Sequence, residues 1–433
     1  MTKTIILGGG IAGLSLASFL ETETVVLERD KVLGGLSRSY SIDGVAYDLG
    51  PHIIFSKNKK VLDLHASMIP TEKVRRSNQI LYAGAYVQYP FENDLSKLPK
   101  EDCEYCLTEF LNNPYEEFDA DNMQQFFLKT FGEGITRTYL EPYNRKIWKF
   151  DLSCMDTQMV DRIPKPPRED VIASAGGQTT EGYTHQLYFH YPKEGGFQTM
   201  VDEYARRAVK NGEVLSGIDI KAIEGGPGAW RIVTSNGIFE GEQLINCIPL
   251  HELFVYLDAP EDVKSALNAL KYNSIHIVAA HYKKDNIGDH FALYVPDPSV
   301  SFHRLSKLGF LGDSYKPADG GSVLMAEITF RPNSYLASLD IETIEQQVID
   351  GLAKLGLADA EDLVSIETQT SKYAYVIYDL DHRTNVDKIL TYLKSIGIRC
   401  AGRFAEFEYL NTDGVVEHTM ALADELNGGI GSA

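Results

Sequence analysis

Three glycines at one spacing, Gly8, Gly10 and Gly13, follow the apolar run "KTIIL", and a carboxylate, Glu28, closes the next run, "ETVVLE". Glycines so placed allow a tight turn and let a pyrophosphate approach a helix N-terminus; a carboxylate about 20 residues on accepts hydrogen bonds from ribose hydroxyls. The chemistry is dinucleotide binding, with a glycine-rich packing turn as the competing reading. A second pair, Gly34 and Gly35 in "KVLGGLSRS", comes with Arg38 shortly after Glu28. A second phosphate-contacting turn so near the first is a habit of FAD-binding chains, because the extended flavin crosses the domain. FAD is therefore preferred over NAD; a simple β-turn is the plainer explanation of the pair.

The segment "DLGPHIIFS" sets His52 between a Gly-Pro turn and an apolar run. Pro51 has no N–H to donate, and the plainer reading of His52 is a core histidine satisfied by a backbone carbonyl. No HExxH, GxSxG or P-loop pattern competes. Cys103 and Cys106 form a CxxC inside a helical pattern, "KEDCEYCLTEFL", with no second pair, so no metal site is expected.

The elements that must position these residues follow from periodicity. The opening thirty residues read strand, glycine turn, helix, strand, the first unit of a dinucleotide-binding sheet. From about 93 to 175 the pattern is helical and aromatic-rich, ending at "RIPKPPRED" and "ASAGGQTTEG". A helix ("GGFQTMVDEYARRAVKNG") and β-rich segments ("EVLSGIDIKAIEGG", "AWRIVTSNG", "IFEGEQLINCIP") then return to complete the first sheet. Residues 270–380 read as a second sheet, and the C-terminal stretch as strand, loop and closing helix. The expected fold class is α/β: a Rossmann-like FAD-binding domain (1–84, 194–265 and 397–433), a helical substrate domain (93–180), and a second antiparallel-sheet domain (85–92, 181–193 and 266–396).

A chain of 433 residues, 44% hydrophobic, has room for two or three packed units and a buried cofactor. Its net charge of −20 opposes nucleic acid and anionic membrane surfaces, so a phosphate ligand must be held by a few placed arginines and backbone amides. Five scattered cysteines fit a reducing compartment. No run approaches the roughly 20 apolar residues of a membrane span, and the glycines inside "IILGGGIAGLSLASFL" suit a strand-turn-helix better than a secretory segment. A cytoplasmic location is expected.

Taken together, "DLGPHIIFS", "YVQYPFENDLSKLPKE", "GEGITRTYLEPYNRKIW", "VDRIPKPP", "FHYPKEGGFQTM", "HFALYVPD", "VSFHRL" and "GRFAEFEYLNTD" resemble the UDP-galactopyranose mutase family, in that family's order and over most of the chain. "GPHIIF" is similar to bacterial members, "YPFEND" and "EPYNRKIW" to eukaryotic ones. The resemblance implies a flavoprotein without net redox change: the N5 of reduced FAD attacks the anomeric carbon of an NDP-hexopyranose, the NDP leaves, and the sugar opens and recloses as a furanose. UDP-galactopyranose and UDP-galactofuranose are the default pair. The implied partners are the nucleotide sugar and an unidentified reductant, NAD(P)H among the candidates, with self-association left open.

The resemblance also assigns residues. Arg162 and Arg304 match the family's two phosphate-binding arginines, and guanidinium forks suit phosphate oxygens better than a lysine does. Tyr294, Tyr375 and Tyr409 fall where the family puts tyrosines near the diphosphate; Arg403 and Asp413 resemble residues beside the flavin. The resemblance also places "GPHIIF" against the flavin, where Pro51 cannot donate to the oxidised N5 and the Gly50 carbonyl or His52 could accept the proton that N5 carries when reduced, so the turn is expected to favour the reduced state. Tyr89 and Phe91, with Tyr143, Asn144 and Trp148, offer flat faces and an amide for a nucleobase. The alternatives are surface arginines, ordinary half-buried tyrosines and a core aromatic cluster. Three positions depart from the eukaryotic pattern: Glu92 stands where glutamine is familiar, Gln186 where asparagine is, and Ala292 where tryptophan is. An ionised Glu92 suits the amino groups of guanine or cytosine and faces uracil oxygens unfavourably, so a base other than uracil is an expectation. Ala292 enlarges the sugar pocket. The rival readings are a flavin oxidoreductase of the amine oxidase or protoporphyrinogen oxidase type, and a nucleotide-sugar-binding protein that keeps FAD without activity.

Overall fold

Lys3–Leu7 is a strand whose Ile5, Ile6 and Leu7 are fully buried, the near-continuous apolar reading of a strand covered on both faces. The computed structural model describes residues 3–163, 167–178 and 187–428, without the side chains of Asp161 and Arg162. In it, Lys3–Leu7 is the middle of a five-stranded parallel sheet in the order Ile398–Cys400, Gln243–Asn246, Lys3–Leu7, Glu23–Leu27, Gly212–Leu215. Strands from the start, middle and end of the chain thus share one sheet. The helix Ile11–Phe19 follows the glycine turn and packs against the helices Gln198–Ala208 and Thr412–Gly428.

The β-rich stretch after residue 211 divides in a way the periodicity did not anticipate. Only its first and last strands join the parallel sheet. Ile220–Gly226, Ala229–Thr234 and Gly237–Gly241 form an antiparallel sheet of their own. Their alternating burial, with Trp230 and Ile232 inward and Arg231 and Val233 half-buried, is that of a sheet with one wet face.

The second large sheet has seven strands in the order Leu363–Ile377, Lys271–Tyr282, Ser322–Phe330, Arg304–Lys307, Ala292–Tyr294, Asn78–Tyr82, Ala85–Gln88. Its pairs are antiparallel except that of Ala292–Tyr294 with Asn78–Tyr82. The chain has an α/β fold with a separate antiparallel-sheet domain. A helical layer, including Lys100–Leu111, Met123–Ile135, Glu141–Trp148 and Arg168–Ala175, buries Phe127, Phe131 and Ile135.

Two local devices aim this scaffold at the site. The hairpin Ser39–Ile42/Val45–Asp48 turns at Asp43-Gly44, both at positive φ (47° and 82°), the pair a tight right-twisted hairpin demands. It delivers Asp48 and the following turn to the start of the helix Gln198–Ala208, where Asp48 accepts from Phe197 N–H. The helix Glu141–Trp148 ends at Lys149 in the left-handed conformation, and the sheet caps its last carbonyls: the Asn273 amide donates to Ile147 O and Trp148 O (3.0 and 2.7 Å), and Thr329 to Ile147 O (2.7 Å). Among the described residues no helix is long and apolar enough to cross a membrane.

Candidate active site

The two glycine turns meet. Gly34 N–H donates to Gly9 O (2.8 Å), and Gly10 and Gly34 form a parallel bridge. Gly13 lies where a Cβ would stand 2.0 Å from Gly8 O, so no other residue fits. The helix Ile11–Phe19 starts at Gly10 without a side-chain cap, and a Cβ at Gly10 would have only Gly34 O, at 3.8 Å, within contact. The amides of that N-terminus therefore face open space bounded by backbone, the condition for an anion to sit there. Glu28 closes the cradle by accepting from Gly9 N–H (2.7 Å) and Asp30 N–H (2.8 Å). Gly35, at φ 53°, backs onto Gly10. Arg38 reaches Asp30 (3.0 Å) and Val32 O, while its Nε is buried without a partner. Uncapped amides, a shaped gap and an orphaned guanidinium nitrogen fit a bound dinucleotide.

Gly50, Pro51 and His52 are held by Asp48, a fully enclosed carboxylate whose part the sequence reading missed. Asp48 accepts from Ser39 Oγ (2.6 Å), Tyr191 OH (2.7 Å) and Phe197 N–H (3.0 Å) and from the His52 backbone, while burial pushes its carboxyl up to about 6. The His52 ring leans on Phe197 at 5.5 Å and meets the Gly50 carbonyl; its Nδ1 is buried without a partner. Burial, then the positive charges of Arg403 and Arg304, pushes His52 down to about 4, so the ring is neutral at physiological pH.

Across from this turn, three adjacent strands bring Tyr294, Arg304 and Glu327 into one cross-strand row, Tyr294 opposite Arg304 and Arg304 opposite Glu327. The Arg304 guanidinium pairs with both carboxylate oxygens of Glu327, whose side chain is fully buried. A Cβ on Gly50 would lie 3.5 Å from Glu327 Oε2 and 3.9 Å from Arg304 Nη2, so the Gly-Pro-His turn rests on the ion pair. Glu327 was also missed. Its signal was present, since it is the one charge inside the apolar strand "SVLMAEITF", and such a charge needs a partner.

Aromatic rings complete the walls. Tyr375 and Tyr409 stack 5.8 Å apart, and Trp148 stands edge-on to both (5.9 and 5.8 Å). Tyr143 meets Tyr294 edge-on at 5.5 Å, and Tyr89 lies 4.9 Å from Tyr294. Burial raises the phenols of Tyr143 and Tyr375, keeping them protonated donors. Arg403 lies 5.1 Å over the Tyr409 ring and donates to Leu410 O (2.6 Å) and Ala374 O (3.0 Å), tying the C-terminal loop to the strand that carries Tyr375. Asp413 sits in the first turn of the closing helix.

Other candidates stand further back. Phe91, fully buried, stacks on Tyr139 (4.8 Å), which stacks on Tyr143 (5.5 Å). Asn144 spends its amide inside its helix, donating to Leu140 O (2.8 Å) and accepting from Trp148 Nε1 (2.9 Å). Glu92 is buried with its carboxyl on its own backbone amide, and desolvation pushes it up to about 7. Cys106 is buried near Thr138, and burial pushes its thiol up to about 11. Gln186 and the side chain of Arg162 lie outside the described residues. A cleft opens between Pro51 and Ile53 on one side and Arg304 and Tyr294 on the other, with Arg76, Asn78, Phe291 and Ala292 completing it.

The chain matches the model of the flavin-containing amine oxidoreductase family over residues 11–386. Among solved structures it is similar to a reduced UDP-galactopyranose mutase (24% identity, TM-score 0.90, covering 99% of this chain and 96% of that one). A protein of Exiguobacterium sp. 255-15 described as a protoporphyrinogen oxidase superposes with a TM-score of 0.77 at 18% identity over 99% of both chains. A putrescine oxidase bound to putrescine gives 0.67 at 15% identity, also over 99% of both. At these identities the likeness establishes the fold. An uncharacterized protein in the nifH2 3′ region of Methanothermococcus thermolithotrophicus is 44% identical over 75 residues, 16% of this chain and 72% of that protein. With the family model spanning most of the chain and the glycine cradle shaped for a dinucleotide, this chain belongs to the flavin-containing amine oxidoreductase family and has FAD as its cofactor.

Proposed function

We propose that the protein interconverts the pyranose and furanose forms of an NDP-hexose, with UDP-galactose as the default substrate. The observation that carries the reading is the row Tyr294, Arg304, Glu327 set against the Gly50–His52 turn. An amine or porphyrinogen oxidase has no need of a guanidinium and phenols converging beside the flavin-facing turn; a leaving diphosphate has. The 0.90 TM-score to a UDP-galactopyranose mutase supports the same reading.

Bound FAD, when reduced, supplies the nucleophile for the anomeric carbon. The chain's own residues do the rest. Arg304 offers Nη1, left over from its fork on Glu327, to the diphosphate, and Glu327 fixes the guanidinium plane. Protonated Tyr375 and its stacked neighbour Tyr409 add hydroxyl donors, and Trp148 edge-on behind them excludes water. His52, neutral and with Nδ1 free of protein partners, can accept a hydrogen bond beside the flavin without carrying charge.

The test is to reduce the holoprotein with dithionite, offer a panel of NDP-hexoses and assay for furanose. Arg304→Ala should lower turnover on the order of 100- to 1,000-fold, the usual cost of one preorganised charge-stabilising donor. The family match favours one second reading, a flavin oxidoreductase. Flavin reduction driven by an amine or a porphyrinogen, with no sugar isomerisation, would establish it instead.

A further inference from the structure

We infer that the sugar this site accepts carries a carboxylate, so that the substrate class is an NDP-hexuronate and Arg76 is the residue that recognises it. The inference rests on the nucleotide-sugar reading above. The cleft has the proposed flavin-facing turn (Pro51, Ile53) on one side and the proposed diphosphate residues (Arg304, Tyr294) on the other, so what lies between them is the sugar.

The wall of the cleft is not electrically balanced. Arg304 is matched by Glu327, but among the described residues no acidic side chain lines the cleft to match Arg76. Arg76 follows directly on the strand Thr71–Arg75, its backbone fixed by donation to Leu187 O (2.7 Å), and its Nε is buried with no partner among the described residues. A guanidinium stays charged, and its planar fork matches a carboxylate with two parallel hydrogen bonds. A neutral hexose would leave that charge half-buried against hydroxyls alone; a uronate neutralises it. Asn78 is placed to read the ring beside it. Its Nδ2 donates to Tyr294 OH (3.1 Å), which leaves Oδ1, buried and unpartnered, to accept from a sugar hydroxyl. Phe291 gives an apolar floor, and Ala292 is small enough to leave room for the substituent.

The experiment compares UDP, UDP-galactose and UDP-galacturonate on the FAD-loaded protein, by calorimetric binding to the oxidised form and by furanose formation in the reduced form, for wild type, Arg76→Lys and Arg76→Gln. Wild type should bind UDP-galacturonate more tightly than UDP-galactose on the order of 10- to 100-fold. Arg76→Gln should erase that ratio while UDP alone loses less than about threefold, roughly half the energy of a tenfold change, and Arg76→Lys should keep part of it. Equal affinities of the two sugars for wild type would overturn the inference while leaving the mutase reading intact. Arg76→Gln weakening all three ligands by one factor would overturn it too, by assigning Arg76 to the diphosphate. Failure of all three ligands to bind wild type would remove both.

Discussion

The Arg304–Glu327 pair decides most at the scale of single residues. Glu327 is fully buried, so removing its charge strands a guanidinium rather than merely losing a contact. Glu327→Gln should destabilise the holoprotein by about 3–5 kcal/mol and cut turnover through misplacement of Arg304; thermal unfolding and steady-state rates at fixed FAD content check both. Glu92 makes a second prediction. With its carboxyl pushed up to about 7, it is protonated below neutral pH and then offers one donor and one acceptor, the complement of a uracil edge. If Glu92 reads the base, inhibition by UDP should strengthen as pH falls below 7 in wild type and not in Glu92→Gln; the same pH profile in both would count against it. Burial thus revises the expectation that a glutamate at this position excludes uracil.

His52 carries the third prediction. Its folded value, about 4, lies below the ordinary value of 6.5, so the unfolded chain binds the proton first as the solution is acidified. The stability it contributes is present above pH 6.5 and is lost as the pH falls toward 4. Asp48 acts in the opposite sense, its carboxyl being raised to about 6, so the informative quantity is the difference between wild type and His52→Gln. That difference should shrink across this window in urea titrations of the FAD-loaded protein.

At the scale of elements, the helix Glu141–Trp148 is positioned by side chains that the sheet sends into its C-terminus. Asn273 and Thr329 satisfy carbonyls that a helix end leaves unpaired, and Trp148 inherits its place beside Tyr375 and Tyr409 from them. Asn273→Ala should cost roughly 1–3 kcal/mol, the penalty of buried carbonyls left unpaired, and should let Trp148 move. Tryptophan emission reads this directly, because the chain has only 2 tryptophans and Trp230 lies on a separate sheet. Unchanged emission with unchanged stability would show that the caps are dispensable.

At the scale of the whole molecule, the parallel sheet takes its strands from residues 3 to 400, so both ends of the chain build one sheet. The closing helix Thr412–Gly428 packs on the helix behind the glycine turn, and Gly402 approaches Ala12 so closely that a Cβ there would stand at 2.7 Å. A chain ended before Ile398 loses an edge strand, the Arg403 clamp and that helix together. It should purify without FAD, judged by the absence of flavin absorbance, even where the remaining sheets fold.

Sequence alone determined the cofactor cradle and the class of fold. Both depend on local rules: glycine spacing sets the turn, a carboxylate ends the next strand, and hydrophobic period separates strands from helices. It also drew attention to His52, Arg304 and the tyrosines. What only the tertiary structure decided was the environment of each. Asp48 opens a segment noticed for His52 and Glu327 lies inside an apolar strand, and the importance of both comes from burial and from partners far away in the chain. Phe91 and Asn144 carry site-like motifs, yet packing turns one into the core and spends the other inside its helix. Arg76 gave no signal in sequence, because an unmatched charge is a property of a cleft wall assembled from distant strands. Local chemistry is written in neighbours along the chain; charge balance and desolvation depend on neighbours in space.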